Sequence, residues 1–91
     1  MDSKATAHEV AVWMFEEVKR KGELYQADAV NEIDRKFGKH FTYENEDGNP
    51  AIDKKVLTAF RTLSKDSVVW EREDRYWRMR KPYDDPSRRQ D

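Results

Sequence analysis

The sequence predicts an α+β domain of three helices closed by a C-terminal β-hairpin. Three observations predict it. Three segments carry apolar residues at helical spacing, and each is bounded by a capping residue or a glycine. Two β-rich segments flank Glu73-Asp74 near the end of the chain. The length, 91 residues, suits one small domain.

The first helix is expected over residues 6–21. Ala7, Val10, Trp13, Met14 and Val18 form one stripe. Gly22 supplies the stop, after Lys19-Arg20-Lys21, whose charges suit the negative end of the helix. Val12 and Phe15 lie off the stripe and need another partner. Cover from the C-terminal tail, for instance by Tyr83, or from an adjacent loop is one reading; a dimer or partner surface is the other. Leu24 and Tyr25 read as a short extended stretch. The second helix is expected over residues 27–37, with Ala29, Val30, Ile33 and Phe37 inward and Gly38 at its end.

Residues 41–52 admit two readings. Phe41-Thr42-Tyr43 has strand character, and Asp47-Gly48 signals a two-residue hairpin turn that sets Tyr43 opposite Ile52. Alternatively, Asn49-Pro50 leads straight into a helix. A later start is preferred. Asp53 is a good N-cap, with Ile52 and Leu57 placed as a hydrophobic staple. The third helix then covers residues 54–64, with Val56, Leu57, Phe60 and Leu63 buried. Its other face carries Lys54, Lys55, Thr58, Arg61 and Thr62, followed by Lys65, and holds no acid. That face is either an ordinary solvated surface or a set of phosphate- and base-contacting side chains.

Counting back from a two-residue turn at Glu73-Asp74 sets Trp70 opposite Trp77 and Val68 opposite Met79 on one sheet face. Val69, Glu71, Tyr76 and Arg78 take the other. Such a hairpin cannot stand alone in water and must close over the helices. Residues 1–5 are expected to be disordered, residues 6–83 to form the domain, and residues 84–91 to be a polar tail.

Composition narrows the function. Hydrophobic residues are 36%, charged residues 41% and aromatics 12%, the last arguing for a packed core. With no cysteine there is no disulfide and no thiolate metal site, which suits the cytoplasm. No apolar run approaches a membrane span, so no membrane partner is expected. The net charge of −1 hides a split: residues 1–53 are net −5 and residues 54–91 net +4. Such a split steers an anionic partner to one face, or is merely an uneven solvated surface.

No enzyme site is legible, and no cofactor, metal or small-molecule substrate is expected. His8 and His40 lack a positioned partner. The chain has no phosphate-binding glycine loop and no serine elbow. The stretch 43–48 has the acidity of a calcium loop. However, alignment on Gly48 puts Tyr43 at the first ligand position and Lys54 at the last, so the ligand set fails.

Three helices, a basic third helix and a terminal hairpin resemble the winged helix-turn-helix. More narrowly, the chain is similar to a family of short bacterial winged-helix proteins carried on mobile gene cassettes. The resemblance rests on Val12-Trp13-Met14, Gly22-Glu23-Leu24-Tyr25-Gln26, Tyr43-Glu44-Asn45 and Val69-Trp70-Glu71-Arg72 with Tyr76-Trp77-Arg78, and spans about residues 6–83. It implies a recognition helix at 54–64 and a wing around residues 68–79. DNA binding is then expected through Lys54, Lys55, Thr58, Arg61, Thr62 and Lys65, with Arg72, Arg75 and Arg78 of the wing adding phosphate contacts. One departure is the connection from Gly38 to Ile52, far longer than the roughly 3–4-residue turn of a tight helix-turn-helix. It is acidic and lies on the approach to the third helix. The alternative is a non-catalytic protein-interaction module or homodimer, using Val12, Phe15, Tyr25 or the acidic loop.

Overall fold

The computed structural model describes residues 5–82. The expectations for residues 1–4 and 83–91, including cover by Tyr83, lie outside that range. Helix α1 (Ala7–Lys21) starts at a reciprocal cap. The Glu9 amide donates to Thr6 Oγ1 at 3.1 Å, and the Thr6 amide donates to Glu9 Oε1 at 2.9 Å. It ends at Gly22, whose φ of 84° lets its N–H turn back to the Val18 carbonyl at 2.7 Å. Strand β1 (Glu23–Tyr25) leads directly into α2 (Gln26–Phe37).

The connection to the third helix folds as a hairpin of its own. A 3-10 turn (Lys39–Phe41) precedes β2 (Thr42–Glu44), which pairs antiparallel with β3 (Pro50–Ile52). The strands therefore form, but their register differs from the expected one. Tyr43 faces Ala51, and Ile52 faces Thr42. Asn45 causes the slip. Its Oδ1 accepts from the Asp47 and Asn49 amides, both at 2.9 Å. Its carbonyl accepts from the Gly48 amide, and its own amide donates to the Asn49 carbonyl. Gly48, at φ 78°, becomes the left-handed residue of a longer loop, not the second residue of a two-residue turn. The hairpin is docked on α2 by the Thr42 hydroxyl, which donates to Asp34 Oδ1 at 2.6 Å. Its base is closed by the Asp53 amide on the Phe41 carbonyl at 2.8 Å.

Helix α3 (Lys54–Ser64) starts at Asp53, whose carboxylate accepts from the Lys55 amide at 3.3 Å. After a second 3-10 turn (Lys65–Ser67), β4 (Val68–Glu71) and β5 (Tyr76–Met79) form the C-terminal hairpin. Its register is as expected: Trp70 faces Trp77 and Val68 faces Met79. β1 adds to the free side of β5, so the hairpin belongs to a three-stranded antiparallel sheet of order β1-β5-β4.

Among the described residues the architecture is α+β, three α-helices and small antiparallel sheets, as the sequence predicts. The core joins Val10, Met14 and Val18 of α1, Ala29, Val30 and Ile33 of α2, and Val56 and Phe60 of α3. Leu24, Ile52, Val68 and Trp77 close it from the strands. The Phe60 ring meets the Trp77 indole edge-on at 5.3 Å, which seats the sheet on α3. Leu57, Leu63 and Trp70 are only half-buried against this core. Trp13 is also half-buried and meets Phe37 edge-on at 6.1 Å, so it joins α1 to the end of α2 at the rim. Val69, placed by alternation on the polar sheet face, is nevertheless fully buried.

Candidate nucleic-acid interface

The outward face of α3 collects the basic residues that the sequence singles out. Lys54, Lys55, Thr58, Arg61 and Thr62 are all exposed, as is Lys65 just past the helix end. Positions 54, 58 and 61 follow the spacing that keeps side chains on one line along a helix, and Lys65 follows at the C-cap with a non-helical backbone. Burial of Val56, Phe60 and Ser64 on the opposite side fixes which way this line points. The Ser64 hydroxyl is satisfied by the Phe60 carbonyl at 2.7 Å, and the Thr62 hydroxyl donates to the Thr58 carbonyl at 3.1 Å.

The charge environment distinguishes α3 from the other two helices. On α1, Lys19 pairs with Glu16 at 3.3 Å, while Arg20 and Lys21 both pair with Glu17, at 2.8 and 3.2 Å. On α2, Arg35 pairs with Glu32, and Asp34 draws Lys39 to 3.7 Å. Helix α3 has no acid along its length. Among the described residues, Lys54, Lys55 and Arg61 make no ion pair. The field of Arg61 is therefore left to solvent and salt, a condition under which a surface attracts a polyanion, whereas Lys54 shares a groove with Glu44, Glu46, Asp47 and Asp53.

The three arginines of the C-terminal hairpin do not behave alike. Arg72 and Arg75 are exposed in the turn between β4 and β5, where they bracket Glu73 and Asp74, so the turn carries no net charge. Arg78 is spent within the sheet. Its Nε donates to Glu71 Oε2 at 2.7 Å and its Nη1 to the Met79 carbonyl at 3.2 Å, with 15% of the side chain exposed. It is a structural residue first, which the sequence reading missed because Glu71 and Arg78 are not directly opposite in register.

The acidic hairpin stands at the N-terminal end of α3. Tyr43, Glu44, Asn45, Glu46, Asp47, Asp53 and Lys54 line one open groove. An incoming polyanion thus meets repulsion beside Lys54 and attraction farther along, at Arg61 and Lys65. Among the described residues, no group of three His, Cys, Asp or Glu side chains is placed to hold a metal ion. No described helix is long and apolar enough to cross a membrane.

The residues expected at a protein interface fall on two elements. On α1, Val12 is 36% exposed. Phe15 is not a free apolar group, because it packs on the core and carries Lys19 Nζ 4.6 Å above its ring. Tyr25, 40% exposed, closes β1 and stacks on Tyr76 with ring centres 4.7 Å apart. Its partner Tyr76 was not foreseen, because only the pairing of β1 with β5 brings the two rings together.

No curated protein and no solved structure was found to match the chain. A family model does match, over residues 6–79, which takes in every helix and strand described above. The chain belongs to DUF6953, a family of unknown function.

Proposed function

We propose that this protein is a small winged-helix protein of the bacterial cytoplasm that binds duplex DNA without catalysing a reaction, with α3 as the element that enters the major groove. One observation carries the reading: α3 alone among the three helices presents a row of exposed cations with no acid on the same element. Lys54, Lys55, Arg61 and Lys65 supply phosphate contacts, and the exposed Thr58 and Thr62 between them supply contacts to base edges. The β1-β5-β4 sheet with its hairpin beside the helices is the arrangement in which the turn 72–75 acts as a wing. Since that turn is neutral overall, binding rests on α3, with Arg72 and Arg75 as minor contributors.

Fluorescence anisotropy with a labelled random duplex tests the reading. Arg61→Glu reverses charge in the middle of the row and should weaken binding at least about tenfold. Glu46→Lys with Asp47→Lys should strengthen it, because the acidic hairpin borders the same helix. Equal affinity of all three proteins would refute a role for α3.

A further inference from the structure

A second surface has different chemistry. A cleft of about 440 Å³ opens between the first turn of α2, the β4–β5 turn and the end of the inserted hairpin. Tyr25, Asn31, Asn49, Glu73 and Asp74 are among the residues that line it. Tyr76 covers one face of the Tyr25 ring, at an interplanar angle of 22°, and Tyr25 remains 40% exposed. The result is a flat, partly exposed aromatic platform on a pocket wall. Glu73 and Asp74 are exposed and make no ion pair among the described residues, and neither do Glu23 and Asp28 nearby. Arg75 lines the same cleft, so one cation stands against the four carboxylates of Glu23, Asp28, Glu73 and Asp74, and the field at the platform is negative on balance. The Tyr25 hydroxyl is held above the usual tyrosine range by the charge of Glu23 first, then by desolvation and by Tyr76, Asp74 and Asp28.

The cleft also offers partners to a peptide backbone. The N-cap residue of α2, Tyr25, makes no side-chain capping hydrogen bond. The Gln26 amide is taken by the Arg75 carbonyl at 2.9 Å, but the amides that follow it in the first turn have no intrahelical acceptor. Asn31 and Asn49 add side-chain donors and acceptors at the wall.

We infer that this cleft is a docking site for an arginine-bearing peptide segment of a protein partner, with the guanidinium lying on Tyr25 between Glu73 and Asp74. An aromatic face ringed by carboxylates fits that group on three counts: it is planar, it is weakly hydrated, and it stays charged. Lysine satisfies the charge but not the stacking. The same field rejects the polyanion that α3 attracts, so the two surfaces serve different partners and the inference stands apart from DNA binding.

The test is a titration of the ¹⁵N-labelled full chain with acetylated hexa-arginine and, separately, hexa-lysine, followed by amide shifts and calorimetry. The expected result is saturable shifts at Tyr25, Asn31 and Asp74, with hexa-arginine bound roughly five- to tenfold tighter than hexa-lysine. Tyr25→Ala leaves the net charge unchanged and should weaken hexa-arginine binding by a similar factor. Glu73→Gln with Asp74→Asn, which touches no buried residue, should also weaken it. Arginine and lysine peptides binding equally, shifts confined to residues 44–47, or full affinity in the folded Tyr25→Ala protein would each overturn the assignment. Duplex binding measured on the same variants should be unaltered by Tyr25→Ala, which keeps this outcome separate from that of the α3 reading.

Discussion

The indoles of Trp70 and Trp77 face each other across the C-terminal hairpin with ring centres 4.7 Å apart and planes inclined at 48°. They are not equivalent. Trp77 is 5% exposed and also meets Phe60, whereas Trp70 is half-exposed at the edge strand. Trp77→Ala should cost about 3–5 kcal/mol, as for other fully packed large aromatics. Trp70→Ala should cost less, about 1–3 kcal/mol, because part of its surface is already in water. Urea denaturation of the two variants checks the order. Equal losses would mean that Trp77 does not anchor the sheet to α3.

Arg78 should behave as a structural residue. Removing it leaves Glu71, only 23% exposed on its side chain, without the cation that pairs with it at 2.7 Å. Arg78→Ala should destabilise the domain by about 1.5–3 kcal/mol, the range for hydrogen bonds to charged groups. Arg72→Ala, in the exposed turn, should change stability by less than about 0.5 kcal/mol. Thermal unfolding of both proteins discriminates. If Arg72 proves the costlier of the two, the sheet pair carries little of the stability.

Acid should loosen α1 through Glu17. Burial raises its pKa, but the hydrogen bonds and charges of Arg20 and Lys21 outweigh that effect and hold it below the ordinary glutamate value. A carboxyl lowered in the folded state stabilises fully above its unfolded pKa of about 4.3. That contribution is lost as pH falls through the lower folded value. The urea midpoint of the parent should therefore drop in that window, and Glu17→Gln should flatten the drop. A parent and variant with parallel pH profiles would show that the Arg20 and Lys21 contacts are too solvated to matter.

How much of this was legible in the sequence follows from how local each signal is. The end of α1 and the start of α3 were readable because Gly22 and Asp53 act within a few residues of themselves, whereas the reciprocal cap at Thr6 was not foreseen and residue 6 was placed inside the helix. The Trp70–Trp77 register was readable because the turn is short and the alternation clear. The pairing of β1 with β5 was not, since three residues such as Glu23–Tyr25 carry no usable period and their partner lies some fifty positions away. The slip of Tyr43 from Ile52 to Ala51 escaped because one side chain, Asn45, bonds two loop amides and outweighs the Asp-Gly signal. For the candidate site, the exposed row on α3 followed from periodicity. The loss of Arg78 to Glu71, and the Tyr25 cleft, depend on contacts between distant elements and needed the tertiary structure.

The central claim is that the cation row on α3 binds duplex DNA, and salt dependence tests it most directly. Each phosphate neutralised releases counterions, so log affinity falls with log salt at about −0.9 per contact. Lys54, Lys55, Arg61 and Lys65 together should give a slope of roughly −3 to −4 for a random duplex, and Arg61→Glu should reduce its size by at least about one. Wild-type protein that binds duplex DNA no better at low ionic strength than at high would contradict the account and leave the face of α3 as a solvated surface.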